Sequence, residues 1–293
     1  MRKENEMYDL ILKTAKENEN ILAVYMNGSR TNNKVKKDIF QDYDIVYVVK
    51  ETKAFIEDKN WIKIFGEVIV SQEPDKNDKL LGRKIDFTKG YTYLMQFSDG
   101  NRIDLHLQPI DSMLKEYGSD KLTVPLLDKK QYLPQIEEAS DEDYWVKKPS
   151  KEEFFCTCNE FWWVAPYCAK GLWREEILYS NDVLNSYVRI QLLKMLSWKA
   201  GIETNFKKSM GKSYKYLNKY IDKELWYQLV ETYNLSSVDN TWNSLFKTCD
   251  LFNKVALEVS YKLNYSYNTK EAKQSSKFIR DIFELPKNAK NIY

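Results

Sequence analysis

Apolar positions change their spacing repeatedly along this chain, and the changes mark out its elements. Over residues 5–17, Met7, Leu10, Ile11 and Ala15 recur at helical intervals, with lysines and glutamates on the other face. This helix is expected to pack on a sheet. Residues 22–26 and 44–49 are short runs rich in branched and aromatic side chains, the composition of strands. Residues 52–65, with Phe55, Ile56, Trp61, Ile62, Ile64 and Phe65, predict a helix and a following turn. Residues 67–71 predict a short strand, and the polar stretch 73–90 a loop. Asp99-Gly100 then separates two alternating runs, 91–97 and 102–110, the strongest short-range sign of a hairpin. In the second run Ile103, Leu105 and Leu107 share one face, and Asp104, His106 and Gln108 the other.

Residues 111–150 carry Pro125, Pro134, Pro149 and the acidic clusters Glu137-Glu138 and Asp141-Glu142-Asp143, which mark a boundary between domains 1–135 and 136–293. Beyond it the spacing is helical. Ser150-Lys151-Glu152-Glu153 is a capping box opening a long helix through Phe154, Phe155, Cys158, Phe161, Trp162 and Ala165. Pro166 is expected to kink it, with Lys170-Gly171 beyond. A second helix covers about 175–177 or runs on from the first. Asn181 or Asp182 then caps a helix carrying Leu184, Val188, Leu192, Leu193, Met195, Leu196 and Trp198. Residues 213–220, 223–233 and 240–261 predict further helices, and 264–293 a polar tail with one amphipathic piece around Phe278, Ile279, Ile282 and Phe283. The fold class is α+β: a mixed β-sheet with flanking helices, then an α-helical bundle.

Composition narrows the function. A 43% hydrophobic share over 293 residues supports two cores. The 45 basic and 43 acidic residues nearly cancel, which disfavours tight nonspecific binding of nucleic acid. No apolar core follows Met1-Arg2-Lys3-Glu4-Asn5 and no run approaches a membrane span, so a cytoplasmic protein with reduced thiols is expected. Cys156-x-Cys158 lies on a helix, where i and i+2 diverge, and no second pair stands at a zinc-finger spacing, so Cys156 and Cys158 read as buried free thiols. One histidine, His106, cannot build a histidine metal site.

The chemistry concentrates between the first two strands. Gly28-Ser29 breaks the first run. Glycine permits a tight turn, Ser29 can cap the helix after it, and such a turn aims backbone N–H groups at one point, which suits a phosphate. Asp42 and Asp44 open the next strand and share a face, an unfavourable pairing unless a cation lies between them; hard oxygen donors favour Mg²⁺. A lone Asp-x-Asp is otherwise an ordinary acidic strand end. Gly-Ser, a short helix and Asp-x-Asp together resemble the nucleotidyltransferases of the DNA polymerase beta type. Gly28-Ser29-Arg30-Thr31-Asn32 with Phe40-Gln41-Asp42-Tyr43-Asp44-Ile45 more closely resembles the aminoglycoside 6-adenylyltransferases, or streptomycin adenylyltransferases. The resemblance extends, more loosely, to Asn159-Glu160-Phe161-Trp162 and Ser209-Met210-Gly211-Lys212.

That resemblance implies transfer of AMP from ATP to the 6-hydroxyl of streptomycin, giving antibiotic resistance. It implies Mg²⁺ held near Asp42, Asp44 and Asp104, with Asp104 as the third carboxylate and general base. Gly28, Ser29 and Arg30 would meet phosphate, Lys212 the triphosphate and Tyr233 the nucleotide. Glu160 and Asp182 are candidates for the drug's cationic groups, and Trp162, Trp163 or Trp173 for stacking on it. The expected partners are ATP and the aminoglycoside, without nucleic acid or membrane, for a monomer or weak homodimer. The alternatives are a nucleotidyltransferase acting on RNA or a protein, and a noncatalytic nucleotide-binding scaffold.

Overall fold

The structure, a computed structural model, describes residues 1–293 and divides into two compact units, Met1–Asp143 and Tyr144–Tyr293. The first is built on six strands: β1 (Ile21–Asn27), β2 (Tyr43–Val49), β3 (Val68–Gln72), β4 (Tyr91–Phe97), β5 (Arg102–Pro109) and β6 (Thr123–Asp128). Their order is β3-β4-β5-β2-β1-β6. β2 and β5 run parallel, and the other neighbours antiparallel, so the sheet is mixed and the fold is α+β.

Period-two alternation assigns the faces. Ile45, Tyr47, Val49, Ile103, Leu105 and Leu107 point to one side, where Met7, Ile11 and Ala15 of helix α1 (Glu4–Glu17) and Phe55, Trp61 and Phe65 cover them. The other face has a smaller apolar cover of Leu22, Ala23, Tyr25, Val46, Val48 and Met113. The polar positions of β2 and β5 lie on this second face.

Residues 53–57 form a short helix, α2, and 61–65 a 3₁₀ turn, the helix and turn expected there. Other elements differ from the sequence expectation, each for a local reason. The stretch expected as loop contains α3 (Pro74–Leu80), with proline at its first position, where no N–H is needed. The proline-bearing linker contains α4 (Ile110–Glu116) and strand β6, which tolerates Pro125 because it lies at the sheet edge.

The second unit holds α5 (Lys151–Trp173), α6 (Ile177–Val183), α7 (Arg189–Glu203), α8 (Lys223–Glu231), α9 (Val238–Leu263) and α10 (Thr269–Glu284). The Ser150 capping box forms as read. Asn181 and Asp182 cap nothing: they lie inside α6, which continues through a π-helical turn, Leu184–Val188, into α7. The helix expected over 213–220 is two separate 3₁₀ turns, Lys212–Tyr214 and Leu217–Lys219, because Ser213 and Tyr214 both take positive φ. All four thiols are free, but Cys156 is exposed rather than buried. No helix is long and apolar enough to cross a membrane.

Pro166 does not interrupt α5. A proline leaves the carbonyl four residues earlier, that of Trp162, without its helical donor. The Ser275 hydroxyl of α10 donates to that oxygen at 2.7 Å. Ser275→Ala should therefore destabilise the second unit by about 1–3 kcal/mol, the cost of an orphaned buried acceptor. In a Pro166→Ala background, where the backbone donor returns, the cost should shrink. A double-mutant cycle by urea denaturation that shows no coupling would refute this account.

Candidate active site

The acidic residues gather where the cover of the second sheet face runs out. Asp44 and Asp104 are direct neighbours in the parallel register of β2 and β5. Asp42 immediately precedes β2 and shares Asp44's side of the chain. Arg102 lies on the same face of β5, two residues before Asp104, and no reading of the sequence singled it out. It donates from Nε to Asp104 Oδ1 at 2.7 Å and from Nη2 to Asp104 Oδ2 at 2.8 Å. Its Nε is also 3.6 Å from Asp42 Oδ2.

Burial, then the charges of Asp104 and Asp42, push the Asp44 carboxyl up to about 6. Burial also raises the Asp42 carboxyl, against the opposing pull of Arg102. The trio is thus a hard, all-oxygen donor set with three acidic groups against one guanidinium, a combination that suits Mg²⁺ in chemistry and charge. As arranged, no three acidic, histidine or cysteine side chains converge as ligands on one point, and the cation among the carboxylates is Arg102.

The turn before the trio is tied to it. Gly28 takes φ +78°, and a β-carbon there would run into the Asp44 carboxylate, so only glycine admits both the turn and the approach. Ser29 is not a cap; it begins a single 3₁₀ turn, Ser29–Thr31, with Gly28 in the cap position. Arg30 is not a free phosphate contact in this arrangement. Its side chain is only 6% exposed. It donates to the carbonyls of Asp42 and Gln41 at 3.0 and 2.7 Å and stacks on Tyr43 at 3.8 Å, which fixes the chain entering β2. His106 is half-buried, with Nδ1 3.0 Å from the Thr92 hydroxyl, and desolvation lowers its pKa.

In the second unit Lys212 lines a cavity of about 690 Å³ with Lys147, Lys194, Ser209, Tyr214 and Trp198. Only one carboxylate, Glu153, lines it, and that group accepts the backbone N–H of Ser150. The Lys194 ammonium lies 5.1 Å from the Trp198 ring. Tyr233 comes just after α8; the buried Arg189 covers one face of its ring at 3.8 Å, and the residue is 49% exposed. Glu160, on α5, and Asp182, on α6, are exposed, and Asp182 accepts from Ser186. Trp162 is a correction: it is a core residue, edge-on to Phe161 and Phe252, and its Nε1 donates to the Tyr267 hydroxyl. Trp163, one position on, is exposed.

The profile of the family described as streptomycin adenylyltransferase matches residues 1–282. The chain belongs to that family. It is 40% identical to an aminoglycoside 6-adenylyltransferase of Campylobacter jejuni over 280 residues, 96% of each chain. It is 36% identical to one of Staphylococcus aureus over 285 residues, covering 97% of this chain and 100% of that one. A crystal structure of an aminoglycoside 6-adenyltransferase from Bacillus subtilis matches at 34% identity and TM-score 0.49, over 97% of this chain and 100% of the other. As a member of this family, the protein is an adenylyltransferase.

The Asp44 environment has a pH signature. Its folded pKa is raised, so the stability it contributes is full below the unfolded value near 3.9 and is lost as pH rises through about 6. With divalent metal chelated, Asp44→Asn escapes that loss. Its Tm should exceed wild type by about 2–4 °C at pH 8 and match it near pH 4. A gap of the same size at both pH values would count against the burial and repulsion assigned to Asp44.

Proposed function

We propose that the protein transfers AMP from ATP to the 6-hydroxyl of streptomycin, releasing pyrophosphate and conferring resistance. The observation that supports this most is the acidic trio, with Asp44 and Asp104 in register on parallel strands beside a turn that only glycine can make. Family membership supplies the adenylyl chemistry, and the names of the relatives supply the class of acceptor and the position.

Asp42, Asp44 and Asp104 would hold Mg²⁺, which when bound neutralises polyphosphate charge and polarises the α-phosphate. The chain's own groups do the rest. Asp104 takes the proton of the 6-hydroxyl as that oxygen bonds to the α-phosphorus. The bond from phosphorus to the bridging oxygen breaks, and its electron pair leaves with pyrophosphate. The turn that Gly28 opens offers the backbone N–H of Ser29 to phosphate oxygens, while that of Gly28 donates to the Leu122 carbonyl. Lys212, in its basic pocket, meets phosphate, and Tyr233 offers its uncovered face to the nucleotide. Glu160 and Asp182 receive the drug's guanidinium groups, which stay charged at any working pH.

Mass spectrometry of streptomycin incubated with protein, ATP and Mg²⁺ should show a gain of one adenylyl group; an unshifted drug overturns the reading. Asp42→Asn and Asp44→Asn should each lower kcat by at least about a hundredfold with the fold intact by circular dichroism. Glu160→Gln should raise KM for the drug about tenfold and leave KM for ATP in place. An unmoved drug KM with a lowered Tm would make Glu160 a structural acid.

A further inference from the structure

We propose that Arg102 is a built-in counter-ion of the acidic trio, which yields its place to the incoming divalent cation and passes its guanidinium to a phosphate of the bound nucleotide. This rests on the reading that Asp42, Asp44 and Asp104 hold the metal.

Arg102 binds the acids that the reaction needs, and nothing else. Its two side-chain hydrogen bonds both end on Asp104, and its one further ion pair is with Asp42. Arg30, the other arginine close by, is built differently: two backbone carbonyls and an aromatic ring lock it in a nearly closed environment. The Arg102 side chain is 40% exposed and sits at the start of β5, so it can turn outward without disturbing the core. A pair kept only for stability would not have to share oxygens with the metal site.

A cation on Asp42 and Asp104 takes the lone pairs that Arg102 uses and repels its charge. The guanidinium then needs a new acceptor, and the anion arriving with the metal is the polyphosphate. Its planar fork of donors fits two phosphate oxygens at once.

The test compares Arg102→Met and Arg102→Lys with wild type in two measurements that need no turnover. Manganese binding to the nucleotide-free protein is monitored by electron paramagnetic resonance, and ATP binding with Mg²⁺ by calorimetry. Arg102→Met should tighten Mn²⁺ by at least about tenfold, through loss of a competing charge. It should weaken ATP by about tenfold, through loss of a charge-assisted contact. Arg102→Lys should bind Mn²⁺ as wild type does, yet still bind ATP more weakly, since it keeps the charge without the fork. These opposite signs separate the proposal from a merely structural role, which would weaken both. Mn²⁺ affinity unchanged or lowered in Arg102→Met, or ATP affinity unchanged in both variants, overturns it. If Arg102→Met does not fold, the lysine variant decides by the same ATP measurement. Wild-type protein that binds no Mn²⁺ with or without ATP would overturn the metal reading and this proposal together.

Discussion

Asp44 and Asp104 face each other because β2 and β5 run parallel and in register, and like charges at that spacing repel. Much of the first unit can be understood as the means of holding them there. Ile45, Tyr47, Leu105 and Leu107 anchor the two strands on the covered face of the sheet. Arg30 pins the backbone on the approach to β2, Gly28 leaves room for the Asp44 carboxylate, and Arg102 offsets part of the charge. The stabilising contacts lie mostly on one face of the sheet and the chemistry on the other, so the site can carry an unfavourable arrangement that the core outweighs.

The second unit solves a different problem. Its helices bury a large aromatic core, in which Phe161 and Phe252 stack at 3.7 Å. The cationic cavity around Lys212 borders that core, with Trp198 and Met210 in its lining. Ser209, Gly211 and Tyr214 shape its mouth through a backbone that turns left-handed at Gly211, Ser213 and Tyr214. A surface of this kind gathers anionic groups by charge and leaves their exact seating to a small number of donors.

How much is legible in the sequence depends on how local each signal is. Alternation along 102–110 and the apolar runs at 22–26 and 44–49 are properties of neighbouring residues, and the strands arise from them. The Gly28-Ser29 and Asp42-x-Asp44 motifs can be read for the same reason, and the family with them. Which strand lies beside β2 is a non-local fact. The bond from Arg102 to Asp104 depends on a rotamer and on that pairing, so the sequence does not single out Arg102 although it shares the strand face with Asp104. Arg30 looks like a ligand for phosphate because a charge beside a glycine turn does not disclose that its donors turn inward. Trp162 and Trp163 are adjacent in sequence and opposite in burial; helical phase alone separates them, and the whole stretch is too apolar for the phase to show. Pro74 lies in a stretch that reads as loop and Pro125 in one that reads as linker, yet a first helical turn and a sheet edge are the places that admit proline.

The bond from Ser275 to the Trp162 carbonyl bears on the order in which the chain acquires its structure. α5 is among the first helices of its unit to leave the ribosome, and α10 is the last. Until α10 docks, the middle of α5 keeps an acceptor with no protein donor, because Ser275 comes from α10. α5 can coil early but cannot reach its final hydration state until the end of the unit has been synthesised. The closing of this unit is thus timed by its C-terminal helix, and a nascent chain paused before Asn268 would hold α5 open to water at Pro166.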